Sequence, residues 1–378
     1  MGTKKQTADG WSATAGKDNA MATGANPPPS ISPAWVDFDG ERLPIVENSV
    51  LVKPFCTLTE YSHKGSRNLP SVLVVSPISG HTCLLLRDMI IGLAGHYRTY
   101  VMNWTNARDV PFSAGTFGFD DNIGYIGEMA RFVGPGATVI ALCQSVVPAL
   151  CAGAIPPPEH RMRALVLIGG PVDPLANPTR VVGLLRWHNL DWFRSSVLQE
   201  VRGDFIGKGR RVYPASTQLG ILNAYLARHL FQHGELSKKL QGDDGLDPVG
   251  FPFLTAYTTL FDLPEEIFLE NIDRVFHRRL INTGGMRLKG ELIDPSKLSQ
   301  TALLTIEGEL DDIAAPGQTR AAHGLCPNIP DAARHHITVE QCGHFSLFHG
   351  TVWRSQILPQ IVEFLGSVEI SGRPTLAD

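Results

Sequence analysis

Short apolar runs recur along the chain at residues 71–75, 98–103, 137–142, 163–168, 301–306 and 336–340. The most apolar of them show no polar alternation, as expected of strands buried on both faces of a sheet. Helical patterns fall between them. Residues 84–93 predict a helix, and Ile123, Ile126, Ala130 and Val133 form an i, i+3, i+7, i+10 stripe on the next. An apolar, Ala-rich helix follows the run at 137–142, and an amphipathic helix over 351–365 closes the chain. Residues 35–62 read as short strands and turns leading into the core. This alternation predicts an α/β fold with a mostly parallel sheet and helices on both faces.

The alternation breaks between about residues 175 and 298. No continuous apolar strand is evident there; helical periodicity and aromatics such as Trp187, Trp192, Phe193, Phe205, Tyr213 and Phe261 take over. The expected organisation is a leader over 1–33, a core built from 34–174 and 299–368, a helical cap (lid) inserted at 175–298, and a tail at 369–378. The leader is rich in Gly, Ala, Thr, Asn, Ser and Pro and reads as disordered. It has no apolar segment of a secretory signal, and Gln6 stands where a myristoylation motif wants Ser or Thr.

Composition narrows the function classes. At 378 residues with 43% hydrophobic content, the chain can bury a large core with an insertion. A net charge of -4 and a pI near 6.4 argue against a nucleic-acid partner. No stretch approaches the roughly 20 apolar residues of a membrane span. Six cysteines without framework spacing suggest reduced thiols and a cytoplasmic location.

Candidate chemistry centres on Cys143. A short apolar strand, the turn Cys143-Gln144-Ser145 and a helix in immediate succession describe a nucleophile elbow, usually written Gly-x-Ser-x-Gly. Here Ala141 and Ser145 hold the two small positions. The following helix aims its N-terminus at the turn, which favours a thiolate and later an oxyanion. A buried structural thiol is the alternative for an isolated cysteine. Two downstream features favour the elbow: an acid cluster Glu307-Gly308-Glu309-Leu310-Asp311-Asp312 after one late strand, and Cys342-Gly343-His344 after the next. The order nucleophile, acid, histidine is that of the α/β-hydrolase fold. Asp311, as the acid of Gly308-x-x-Asp311, is preferred to Asp173, and Asp312 is expected to cap the following turn. The backbone N–H groups of Gln144 and Ile78 are the expected oxyanion donors. His81 reads as a loop-packing residue. His229 and His233 have the spacing of a zinc pair but no third ligand, so no metal and no cofactor is expected.

The sequence resembles the intracellular polyhydroxybutyrate depolymerases from about residue 43 to residue 365. The resemblance is carried by Leu43-Pro44-Ile45-Val46-Glu47, Lys53-Pro54-Phe55-Cys56, Ser79-Gly80-His81, Leu86-Arg87-Asp88, Cys143-Gln144, Gly169-Gly170-Pro171 and Gly209-Arg210-Arg211-Val212-Tyr213-Pro214. It continues through Glu307-Gly308-Glu309-Leu310-Asp311-Asp312-Ile313 and Cys342-Gly343-His344. The resemblance implies a cysteine nucleophile at Cys143, the carboxylate at Asp311 and the imidazole at His344. It also implies hydrolysis of amorphous poly(3-hydroxybutyrate) or its oligomers at the surface of cytoplasmic storage granules, through an acyl-thioester. A homodimer is among the assemblies left open. Two other readings use related parts. Polyhydroxyalkanoate synthases and coenzyme A-dependent acyl transferases on this fold would share Cys, Asp and His, but a synthase is expected to carry Gly, not Gln144, after its cysteine. A silent granule-binding protein would have no use for a complete triad.

Overall fold

The structure, a computed structural model, describes residues 29–79, 83–155, 161–232 and 259–371. The chain opens with a hairpin of β1 (Trp35–Phe38) and β2 (Glu41–Pro44), followed by the antiparallel pair β3 (Val46–Lys53) and β4 (Cys56–Ser62). Next come β5 (Ser71–Val75), α1 (Arg87–Ala94), β6 (Arg98–Trp104), α2 (Phe119–Val133), β7 (Thr138–Leu142), α3 (Val146–Ala154) and β8 (Ala164–Ile168). Residues 29–33, assigned by sequence to the leader, pack on this core. Ile31 is fully buried, and Arg87 donates to the carbonyls of Ile31 and Pro33. A single apolar side chain and two carbonyl partners outweigh the polar composition there.

The segment after β8 was expected to be helical, and in part it is: α4 (Arg180–Trp187), α5 (Leu190–Ser196), α6 (Ala215–Gln232) and α7 (Glu265–Asn271), the last continuing into a π turn at Ile272–His277. It also holds strands. In chain order β9 (Gln199–Glu200), β10 (Arg211–Tyr213) and β11 (Leu263–Pro264) form a small antiparallel sheet, and β12 (Arg287–Leu288) and β13 (Glu291–Leu292) a hairpin. Strands of two or three residues have no periodicity to read. Phe193, Leu198, Leu269 and Ile272 form a core for this segment, whereas Trp187 is 85% exposed. The chain then returns to the sheet through β14 (Ala302–Gly308) and β15 (Arg334–Val339) and ends in α8 (Leu358–Ser371), six residues beyond the helix end expected at 365.

The main sheet has eight strands in the order β15-β14-β8-β7-β5-β6-β4-β3. β5, β6, β7, β8, β14 and β15 run parallel, and β4 and β3 add an antiparallel edge. All residues of β7, β8 and β14 are buried, because helices cover both faces. One face packs under α2 and α3, the other under α1 and α8. This is the α/β-hydrolase arrangement. Its strand order reverses at β5, with β6 on one side and β7 on the other. In open α/β sheets the crevice at the carboxyl ends of strands beside such a switch point is where ligands bind.

Candidate active site

Cys143 sits at that switch point, one residue past β7. Its backbone lies in the left-handed region at φ +51°, a conformation uncommon for a residue with a Cβ. The strained turn lets β7 pass into the helical turn Cys143–Ser145 and then α3 while keeping the side chain at the sheet's carboxyl edge. Tight packing explains the small residues around it. A Cβ on Gly170 would collide with the Cys143 carbonyl oxygen and with Val146. Gly169, at φ +57°, leaves no room either: a Cβ there would lie 2.8 Å from Leu347 and 3.6 Å from Asp311 Oδ2.

Asp311 and His344 come from the loops after β14 and β15. Those loops are tied together: Glu309 N–H donates to Val339 O at 2.9 Å and Leu310 N–H to Cys342 O at 2.9 Å. Gly308 permits the approach, since a Cβ would strike the Cys342 carbonyl. The result is a 2.7 Å contact between His344 Nδ1 and Asp311 Oδ2, with the two residues each 3% exposed. The other Asp311 oxygen accepts from the N–H groups of Ile313 and Ala314 at 2.9 and 2.8 Å. Asp311 itself thus caps the turn that follows it.

The imidazole also meets the thiol. Burial works to lower the His344 pKa, but the Asp311 charge, the charge Cys143 can carry and hydrogen bonds to both side chains outweigh it. The net effect holds His344 well above its ordinary value. The nucleophile, base and acid positions expected from sequence thus converge. Asp173 does not join them. Its carboxylate is held by Arg279 at 3.0 and 2.7 Å and caps Leu175 N–H at 3.0 Å.

Of the two expected oxyanion donors, Gln144 follows Cys143 directly in the chain and Ile78 comes two residues after Ser76. Gln144 opens the turn into α3, and Ile78 is buried on the loop after β5. Three contacts that sequence did not reveal hold the chain at Ser76 and at Gln144. Ser145 Oγ donates to Ser76 O at 2.6 Å, and Trp104 Nε1 donates to the same carbonyl at 3.1 Å. From the inserted segment, Asn271 Nδ2 donates to Gln144 Oε1 at 2.6 Å. Glu307, visible in the motif but without an evident role, is buried and accepts from the N–H groups of Gly317, Thr319 and Arg320. Thr319 in turn bonds both N–H and O of Gly170, the residue against the elbow. Only the hydroxyl of Ser145, at a position usually held by glycine, carried a signal for any of these.

His81 and the side chains of His229 and His233 lie outside the described residues. Among the described residues no group of three or more His, Cys, Asp or Glu side chains is arranged to hold a metal ion, and no helix is long and apolar enough to cross a membrane.

A family model described as "PHB de-polymerase C-terminus" matches residues 169–369, more than half of the chain. The chain belongs to this family. The matched span contains Asp311 and His344, with Cys143 upstream of it, and supports ester hydrolysis. No curated protein matches. Similar solved structures include an enol-lactonase from Burkholderia xenovorans LB400 (12% identity, 88% of this chain, 100% of that one, TM-score 0.48). Others are a thermophilic esterase from Thermogutta terrifontis (13%, 86% and 98%, 0.49) and a putative lipase from Acinetobacter baumannii AYE (12%, 86% and 93%, 0.47). At that distance they add nothing to the fold assignment, which rests on the strand order and the elbow.

Proposed function

We propose that this PHB de-polymerase family member hydrolyses ester bonds of amorphous poly(3-hydroxybutyrate) and its oligomers, with Cys143 as nucleophile, His344 as base and Asp311 as the acid that orients it. The observation that carries this reading is the His344–Asp311 contact of 2.7 Å, closed on a cysteine held at positive φ at the switch point. In the proposed reaction His344 accepts the thiol proton as sulfur attacks the ester carbonyl. The tetrahedral oxyanion is met by the N–H groups of Gln144 and Ile78, each worth on the order of 3 kcal/mol of barrier. Collapse breaks the C–O bond, and His344 returns the proton to the leaving alkoxide. Water, deprotonated by the same imidazole, then cleaves the thioester and releases the acid.

The proposed organisation keeps 34–174 and 299–368 as the catalytic core, with 175–298 as a lid over the elbow. Asn271 bonding to Gln144 supports that placement. A location on cytoplasmic granules belongs to the same proposal.

The test is product analysis after incubation with amorphous poly(3-hydroxybutyrate), with and without coenzyme A, for the unmodified protein and for Cys143→Ala. Free hydroxyacids or their oligomers, formed without coenzyme A and lost in the variant, are expected. Acyl-coenzyme A as the product would instead assign an acyl transferase. Binding to polymer without turnover would leave a granule-binding protein.

A further inference from the structure

A cavity of about 920 Å³ lies over β3, β4, β6 and the end of β5; Cys143 does not line it, but Ser76, which accepts from Ser145 of the elbow, does. Strand register determines which side chains form its floor. Val75 pairs with Met102, and Leu58 also pairs with Met102; all three belong to the core beneath α2 and α3. Side chains alternate along a strand, so Ser76, Asn103, Thr57 and Thr59 face the opposite side, toward α1. Ser49, paired with Thr59, lines the same cavity. Further along that face Val72, Val74, Val101 and Ile140 are buried in the core under α1, with Thr99 and Thr138 the polar residues among them.

Two buried polar atoms at the inner end have no partner among the described residues. Asn103 Nδ2 donates to Thr59 Oγ1 at 2.9 Å and to Tyr61 Oη at 3.3 Å, which leaves Asn103 Oδ1 unbonded. Ser76, 2% exposed, uses its carbonyl to receive Ser145 and Trp104, but its own hydroxyl bonds nothing. Buried polar groups are normally satisfied; the free Ser76 hydroxyl is a donor that a ligand carbonyl can fill, whereas Asn103 Oδ1 is an acceptor and calls for a donor such as a chain-end hydroxyl.

We propose that this trough is a binding subsite for the polyester chain beyond the scissile ester, reached past the oxyanion loop at Ser76. The proposal rests on the reading of Cys143 as the nucleophile of a polyester hydrolase. An aliphatic polyester offers evenly spaced carbonyl acceptors and, apart from its end, no donors. A floor of Ser and Thr hydroxyls supplies donors to match. From β3 to β5 the trough crosses three strand spacings of about 4.8 Å, about 14 Å in all. That length accommodates more than one hydroxyacid unit. A monomeric ester needs none of it.

Thr57 is half-buried in the trough floor and two strands removed from β5, so it probes the trough without touching the elbow. Thr57→Val removes the hydroxyl at constant shape; Thr57→Phe obstructs the trough. Both are assayed on a linear 3-hydroxybutyrate tetramer and on a simple butyrate monoester, whose turnover reports an intact, folded elbow. With Thr57→Val, kcat/KM on the tetramer should fall about fivefold, the worth of one hydrogen bond. With Thr57→Phe it should fall at least about tenfold, mostly through KM, with the monoester within about twofold of wild type. An unchanged tetramer rate in Thr57→Phe overturns the proposal, and so does an equal loss on both substrates. Failure of the underlying reading has a different signature: Cys143→Ala would then keep its monoester activity.

Discussion

Asp311 holds His344 with one carboxylate oxygen and its own loop with the other. Oδ2 lies 2.7 Å from His344 Nδ1, while Oδ1 accepts the N–H groups of Ile313 and Ala314. The acid is therefore held in place before substrate arrives.

Asp311→Asn should keep the shape but present a neutral amide to the imidazole, with a rate loss approaching ten-thousandfold. Asp311→Ala should lose the turn as well, costing about 1 kcal/mol for each of the two backbone bonds. Asp312→Asn should retain full rate. Turnover and Tm of the three variants decide it, and an inactive Asp312→Asn would move the assignment by one residue.

Cys143→Ala should abolish turnover and leave the fold intact, since the smaller side chain fits the same turn. Cys143→Ser should bind substrate but turn over far more slowly, because a hydroxyl ionises less readily than a thiol. Full activity in Cys143→Ala would end the nucleophile assignment.

Gly170→Ala is expected to damage the elbow from outside it. The added Cβ meets the Cys143 carbonyl and Val146, and neither backbone nor buried Val can withdraw freely. Overpacking of this kind costs about 1–3 kcal/mol, and a displaced nucleophile about a hundredfold in rate. A Tm and kcat both unchanged would show that the elbow can relax.

Stability should depend on pH from two opposite directions. His344 is held above its ordinary value, so the native state binds its proton more tightly than the unfolded chain does. That stabilisation is complete below about 6.5 and is lost as pH rises through the raised native value. His323 is pushed down to about 4, first by burial and then by the charges of His336, Arg334 and Arg320. Its contribution is present above about 6.5 and is lost as pH falls toward 4. Thermal melts from about pH 4 to about pH 9 should show His323→Gln flattening the acid limb and Asp311→Asn the alkaline limb. An acid limb unchanged in His323→Gln would place the sensitive group elsewhere.

The strands at 71–75, 138–142, 164–168 and 302–308 were legible because each is a short, mostly apolar run, and burial on both faces needs no alternation; the edge strand at 334–339, with two histidines and an arginine, carried a weaker signal. Cys143, Asp311 and His344 were legible as positions because each follows such a strand. What was hidden depends on distant partners. The two- and three-residue strands around Val212 exist only because Pro264 and Gln199 lie beside them. Ile31 reads as part of a polar leader, and only the structure shows Arg87 donating to its carbonyl. Asp173, a plausible acid by position, is occupied by Arg279 from 106 residues away. That Asp311 reaches His344 is a matter of side-chain direction, which adjacent letters do not encode.

Ser145 departs from the usual elbow, and the departure has a structural use. Glycine is common at this position because the turn is tight, yet Ser145 is fully buried and its hydroxyl donates to Ser76 O at 2.6 Å. That carbonyl precedes Pro77 and Ile78, so the bond fixes the loop proposed to supply one oxyanion donor. Ser145→Gly should restore the common elbow without loss of fold, because Trp104 Nε1 still satisfies the carbonyl. The loop would lose a bond worth about 1 kcal/mol. An oxyanion donor acts mainly on the transition state, so a loosened donor should lower kcat and leave KM nearly unchanged. A fall of about tenfold in kcat is expected, less than the hundredfold or more that deletion of a donor costs, since the N–H remains and only its placement suffers. Steady-state kinetics on a short ester give the split directly. A rise in KM at constant kcat would make Ser145 a substrate contact. No change in either would show that Trp104 alone holds the loop.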